Sequence, residues 1–457
     1  MKHFTLWGVW AFCAWATCLC AQELPGETSP GTGPYSLPLD DPDNSYDAPI
    51  PGFVGPDGNG NASLNDGYGS VSNPNNYLNP LFFDWADTVV DYSPFNYDAM
   101  YDYSPDFVNP QNTLGPVTGD VFDVASLGDM TQQEINDWNA DPENAPGPGS
   151  LTISFSTPIQ NRSGADFTIF ENGFVSNYTT PSGTVAGEFW AELAYVEVSQ
   201  NGVDFYRFDS VSTTDSAVGP YGTLDQTQVY NLAGKHANAY GDSWGTPFDL
   251  SDIGLDAIQY IRVVDIPGSG SFQDASGDAI YDGWYTWGSG GADIEAFGAI
   301  STDMTYENWP QLQALDPEER GPEDDPDGDG IPNLIEYAFA TLPWEADAEQ
   351  ARLNLNLDSN GSEIIPVLSF VRDERLVDIT YELQTTTDLT PPISWHPIAT
   401  ARNGAPLQAE SSRDLEISES SHSEIASIGV FRDVEIRDVD AASSSPHFYR
   451  VHISFTP

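Results

Sequence analysis

The middle of the chain alternates. SLTISF (150–155) puts an apolar residue at every second position, and DFTIF (166–170), AELAYVEVS (191–199), VDFYRF (203–208), IQYIRVVDI (258–266) and DIEAFGAI (293–300) follow much the same rhythm. A period of two predicts strands with one face turned to a core. Runs of Gly, Pro, Asn and Asp separate them. Two carry an Asn-Gly pair, Glu171-Asn172-Gly173 and Gln200-Asn201-Gly202, where tight turns are expected because Asn and Gly tolerate positive φ. Short strands at this spacing predict a mainly β, jelly-roll-like β-sandwich.

On either side the pattern changes. Residues 35–120 are rich in Asn, Asp, Pro, Tyr and Gly and show little helical period. They predict a loop-rich extension, held on the core by aromatics such as Phe82, Phe83, Trp85 and Tyr92. Beyond 300, short helical stretches are expected around Trp309 and Leu315, and LIEYAFATLPW has the spacing of a short amphipathic helix. IIPVLSF, VDITYELQTTT, SIGVFRDVEI and HFYRVHISF predict a small C-terminal β-sandwich module over 347–457, with the polar tract 402–425 as a loop. At the other end, Lys2 precedes the apolar run FTLWGVWAFCAWATCLC, and Ala21 is a small residue suited to cleavage. The expected organisation is a signal peptide (1–21), a linker (22–34), a large β domain (35–300), a connector (301–346) and the C-terminal module.

Charge narrows the partners. The chain carries 70 acidic against 14 basic residues, a net charge of −56. Phosphate backbones would repel it, so nucleic acid is not an expected partner; anionic membranes would repel it too. A hydrophobic fraction of 39% still allows real cores. Cys13, Cys18 and Cys20 all lie in the leader. A processed, exported chain would therefore have no disulfide and would need burial, hydrogen bonds or metal to hold it. No later segment has the length and apolarity of a membrane span, so the expected location is secreted or cell-surface.

One stretch carries explicit chemistry. Residues 325–336, DPDGDGIPNLIE, match the calcium-loop spacing D-x-D-x-D-G-x5-E. Asp325, Asp327 and Asp329 offer side-chain oxygens at positions 1, 3 and 5. Ile331 offers its carbonyl at 7, Asn333 acts at 9, and Glu336 supplies two oxygens at 12. Calcium takes six to eight hard oxygens, and this spacing wraps them around one point. Two departures mark it as an EF-hand-like loop standing alone. No entering helix abuts it, because GPED precedes it. Pro332 sits at position 8, where paired loops exchange a backbone hydrogen bond, and proline has no N–H. A lone rigid loop predicts a permanent staple rather than a calcium switch.

The segment from Trp309 through DPDGDGIPNLIEYAFATLP resembles the single calcium loop, similar to thrombospondin type 3 and dockerin repeats, found near the C-termini of exported planctomycete and verrucomicrobial proteins. There it often precedes a small β module ending in an aromatic-Arg strand, here PHFYRVHIS. The larger stretch, carried by NPLFFDWADTVVDYSP, GADFTIFENGF, AELAYVEVSQNGVDFYRF, NLAGKHANAYGDSWGTPFDL and GGADIEAFGAI, resembles a family of bacterial cell surface proteins without a defined activity. More distantly, its strand order resembles discoidin-like, galactose-binding-like jelly rolls. That resemblance implies binding of an extracellular glycan or cell-surface component through loops at one end, although no known sugar-binding triad is matched.

Within those loops, Trp284, Tyr285 and Trp287 of DGWYTWGSGG are candidates for stacking on sugar faces; the plainer alternative is that they pin a glycine-rich loop. Asp265, Asp274, Asp278, Asp282 and Asp293 are candidates for a second metal, with solvated surface as the alternative on so acidic a chain. Asp57, Asn59 and Asn61 have a weaker calcium-like spacing. His236, alone among the histidines in the large domain, is expected to be structural. The chain has no H-E-x-x-H, G-x-S-x-G, phosphate-cradling glycine loop or cysteine nucleophile. The expectation is a non-catalytic calcium-binding surface protein. The alternative is a carbohydrate-active enzyme, glycoside hydrolase-like, whose carboxylate pair cannot be picked out among the acids.

Overall fold

A computed structural model describes residues 2–5, 49–54, 77–97 except 80, 105–301 except 163, 177–187, 241–242 and 287–289, and 303–456 with short interruptions, chiefly 310–314 and 422–430. Most of the expected leader, the linker, Asp57, Asn59, Asn61 and Trp287 lie outside these residues. The chain is mainly β and divides into two compact units, one ending at residue 302 and one from 303 onward together with the first residues of the chain.

In the large unit two sheets face each other. One runs Tyr206–Arg207, Ala194–Ser199, Ala257–Asp265, Ser150–Gln160 and Thr88–Ser93 in spatial order; the other runs Ile50–Pro51, Trp244–Phe248, Phe167–Glu171, Asp293–Ala299 and Asp84–Trp85. Within each sheet these neighbouring strands pair antiparallel. Leu151, Ile153, Val196, Val198, Ile261 and Val263 from the first sheet meet Phe167, Ile169, Phe248, Ile294 and Phe297 from the second in one buried cluster. This is the sandwich that the alternation predicts.

The two outer faces differ, and so do their sequences. On the first sheet the outer face is polar: Glu197 lies between Arg207 and Arg262, at 2.8 and 2.5 Å. The second sheet is covered on both sides, so Phe167–Glu171 and Asp293–Ala299 are buried at every residue. Part of the cover is aromatic, with Phe82 packed 4.8 Å from Trp85 and 5.5 Å from Phe170. Phe82, Phe83 and Trp85 are thus buried, as their apolarity predicts.

One helix was not expected. Gln132–Ala140 begins at Thr131, whose hydroxyl accepts from the Glu134 amide while the Glu134 carboxylate takes the Thr131 amide. Thr-x-x-Glu is a capping-box signal, but it stands alone among strand and loop patterns. The Glu171-Asn172-Gly173 turn also has a different cause from the one expected. Gly173 is not among the positive-φ glycines. It is required because a side chain there would meet the Phe189 ring at 2.9 Å and the Trp190 carbonyl at 3.2 Å.

In the second unit, Phe448–Phe455, Ile379–Thr386, His396–Arg402 and Gln408–Ala409 form one sheet, with Lys2–Thr5 paired along Phe448–Phe455. Asn354–Asn360, Glu363–Asp373, Phe431–Asp438 and Leu415–Ser421 form the other. The tract 402–425 is therefore not simply a loop, since Leu415–Ser421 alternates and pairs with Phe431–Asp438. Nor do the contacts separate the connector from the module at 346. All of helix Asn333–Phe339 is buried, with Phe339 against Phe370 and the Tyr337 hydroxyl bonded to Met304 and Asp378. A seven-residue helix cannot stand alone in water, and here it folds as part of the C-terminal unit. No helix among the described residues is long and apolar enough to cross a membrane.

Candidate functional site

The loop 325–336 coils back on itself through its aspartates. Asp325 accepts from the Gly328 and Gly330 amides at 2.9 and 3.0 Å, Asp327 from the Asp329 amide at 3.0 Å, and Asp329 from the Ile331 amide at 2.8 Å. Gly328 and Gly330 have φ of +75° and +95° with open space where a side chain would go. It is conformation, not crowding, that calls for glycine there.

These turns leave one carboxylate oxygen each from Asp325, Asp327 and Asp329 within 4.8 Å of one another. The Oδ2 atoms of Asp327 and Asp329 are enclosed and accept no hydrogen bond. Burial, then the charges of its two neighbours, raises the Asp327 carboxyl above its ordinary pKa despite an opposing amide hydrogen bond. Like charges crowded in this way favour an added hard cation.

The remaining expected ligands are less directly placed. Asn333 is fully buried, with Nδ2 donating to the Glu319 and Gly321 carbonyls and Oδ1 without a partner. Glu336 is fully buried in the helix and is not one of the converging trio. Ile331 is half-buried, and its amide serves Asp329.

The large unit has a second acidic concentration, and this one is deeply buried. Asp129, Glu171, Glu192, Asp265, Asp282 and Asp293 are each at most 8% exposed. They come from loops and strand ends at one end of the sandwich. Of the expected second-metal set, Asp265, Asp282 and Asp293 are here. Asp274 instead closes a separate turn, accepting from the Ser276, Asp278 and Ser212 amides, and Asp278 belongs to that turn. Asp129 and Glu192 are additions that the sequence did not single out, and Glu171, for which a plain Asn-Gly turn is the cheaper sequence reading, joins them.

Burial dominates the chemistry of these groups. It raises Glu171 to about 8 and Asp129 to about 7 against opposing hydrogen bonds. It lifts Glu192, Asp265, Asp282 and Asp293 well above the carboxylate range, with the charges of the others adding to it. The sign of the pH dependence follows. A carboxyl whose folded pKa exceeds its unfolded value holds its proton more tightly in the fold. Its contribution is full below the unfolded value and is lost as pH climbs through the folded one. For Glu171 that window runs from 4.5 to about 8. With divalent ions chelated, the urea midpoint of the large unit is expected to fall steadily between pH 5 and 8; a flat profile would contradict this electrostatic picture.

Aromatic side chains border the same end. Trp284 is half-buried and donates from Nε1 to the Met130 carbonyl at 2.9 Å, which pins its loop. Tyr285 is 39% exposed, and Tyr240 is 53% exposed with its ring edge-on to Phe174, which packs on Trp190. Tyr285 and Tyr240 are thus more exposed than Trp284. His236 is buried.

No family model and no curated protein matches the chain. Among solved structures, a type II cohesin dyad from the adaptor ScaA scaffoldin of Acetivibrio cellulolyticus is 8% identical over 68% of this chain and 82% of that one, with a TM-score of 0.08. So slight a likeness bears on neither fold nor function.

Proposed function

We propose that this chain is an exported, non-catalytic, calcium-stabilised protein of the cell surface or extracellular space. It binds a glycan through the loop end of its large sandwich. The observation that carries the calcium half is the convergence of Asp325, Asp327 and Asp329, with enclosed oxygens on Asp327 and Asp329 that accept no hydrogen bond. The ion acts as a staple: it fixes the entry to helix Asn333–Phe339, which is buried in the C-terminal unit. The glycan half rests on Tyr285 and Tyr240, whose exposed rings offer apolar faces with polar edges.

The test is a calcium titration of the chelator-stripped full chain, paired with a glycan array. Calcium is expected to raise the melting temperature of the C-terminal unit, and Asp327→Asn with Asp329→Asn to abolish that rise. Tyr285→Ala is expected to lose array binding without a change in melting. If chelator leaves melting unmoved, the staple is wrong; if no glycan binds with or without calcium, the ligand class is wrong.

A carbohydrate-active enzyme is the second reading. It is favoured by the raised carboxyls Glu171 and Asp129, the latter beside Met130, whose carbonyl accepts from Trp284, because a general acid needs an elevated pKa. Release of reducing sugar from an array-positive glycan would decide for it.

A further inference from the structure

The buried carboxylates of the large unit are organised around one short segment. Three successive amides, those of Gly291, Ala292 and Asp293, donate to Glu192, Asp265 and Glu171 at 3.1, 2.9 and 3.1 Å. The segment passes close to them. A side chain at Gly291, where φ is +84°, would sit 2.8 Å from the Gly128 backbone and 2.9 Å from Asp265 Oδ1. Other oxygens are also used: Glu171 takes the Gly173 amide as well, Glu192 the Thr286 hydroxyl, and Asp129 the Met130 and Thr286 amides.

Two oxygens are left over. Asp265, 1% exposed, has Oδ2 without a partner, and Asp293, 6% exposed, has Oδ1 without one. An ionised carboxylate buried in this way is strongly unfavourable unless something neutralises it. The two are also placed to act together: Asp265 ends a strand of one sheet and Asp293 begins a strand of the other.

We propose that Asp265 and Asp293 hold a calcium ion between the two sheets at the loop end of the large sandwich, a site distinct from the 325–336 loop. The donors favour a hard divalent cation: the groups gathered there are carboxylates, and calcium takes all-oxygen shells of flexible geometry. Among the described residues, only the 325–336 loop brings three carboxylate oxygens within 4.8 Å of one another. Two carboxylates therefore anchor this ion, and carbonyl oxygens and water complete its shell. The ion ties the sheets together beneath the Trp284–Tyr285 loop, so it also sets the surface that this end presents.

The experiment uses the full chain, stripped by chelator and titrated with calcium in a calorimeter at pH 8, with melting followed in parallel. Asp327→Asn with Asp329→Asn removes the other site and is expected to keep one equivalent of calcium and a calcium-dependent melting of the large unit. Asp265→Asn and Asp293→Asn are expected to lose that equivalent and keep the loop's. Asparagine at 265 retains an oxygen for the Ala292 amide, so the substitution tests charge rather than shape.

The direction of the melting shift separates a cation from a proton. If calcium neutralises the site, either substitution lowers the melting temperature in calcium. If protons alone do so, the substitution removes a group that must take up a proton to stay buried, and melting at pH 8 rises. That rise would overturn the proposal, as would a folded Asp327→Asn, Asp329→Asn variant that binds no calcium. Should the 265 and 293 variants fail to fold, this last measurement still decides. Failure of the 325–336 loop to bind would appear separately, as loss of the equivalent retained by the Asp265→Asn and Asp293→Asn variants.

Discussion

Gly149→Ala is expected to cost the large unit at least about 4 kcal/mol, in the range reserved for severe steric or burial defects. A methyl group at Gly149 would lie 1.8 Å from the Leu127 carbonyl oxygen and 3.0 Å from the Phe95 amide. No side chain can yield to relieve this, because both obstacles are backbone. The Leu127 carbonyl is already engaged, accepting from Phe95 at 2.7 Å, and the Gly149 carbonyl accepts from the Asp265 amide at 2.9 Å. Moving the chain at 149 therefore moves Asp265 and the buried carboxylates around it. Gly254→Ala is the contrast. Gly254 has φ of +66° but nothing within 4 Å of an added carbon, so it bears only the left-handed backbone cost of about 1–2 kcal/mol. By calorimetry the first variant should shift the large unit's transition down by on the order of 10 °C or more, and the second by only a few degrees. Equal shifts would mean that the close approach at Gly149 is not real.

What could be read from the chain follows what lies close in sequence. The strands at 150–155 and 258–266 were legible because one face of their sheet meets solvent, which forces alternation. The 325–336 loop was legible because its candidate ligands fall within twelve residues and a fixed spacing dictates where they point. The buried carboxylates were not legible as a set. They are brought together from 129, 171, 192, 265, 282 and 293 by strand register, for instance the pairing of Ala194 with Asp265 and of Ile294 with Glu171. On a chain with 70 acidic residues, each one alone looks like surface. Glu171 was hidden further by its Asn-Gly neighbours, which suggested an ordinary turn. The true cause of that turn, a glycine crowded by Phe189 while Glu171 caps its amide, depends on a strand that sequence spacing does not bring near. Trp284 shows the converse: its residue type suggested a ligand platform, and its hydrogen bond to Met130 gives it a structural task.

Asp373→Ala should cost the C-terminal unit about 3–5 kcal/mol, the usual consequence of removing one member of a buried ion pair. Arg375 is 1% exposed and Asp373 3%. The guanidinium donates from Nε to both carboxylate oxygens at 3.0 and 2.9 Å and from Nη2 to Oδ2 at 2.6 Å, and the Arg375 amide donates to Oδ1 at 2.8 Å. Removing the carboxylate takes all of these at once, beside a Phe431 ring that the guanidinium also overlies at 5.4 Å. The damage spreads toward the calcium loop along hydrogen bonds. The Arg375 carbonyl accepts from Met304, and the Met304 carbonyl accepts from Val377 and from the Tyr337 hydroxyl of the loop's exit helix. Asp373→Ala should therefore weaken calcium binding at 325–336 as well as lower the melting temperature. Replacing both members, Asp373→Leu with Arg375→Met, removes the charge together with its partner and should recover much of the loss, since an apolar pair of similar volume is often neutral relative to a buried ion pair. If the single variant melts within about 1 kcal/mol of the parent, or the double variant is worse than the single, the ion pair is not what holds this turn against the connector.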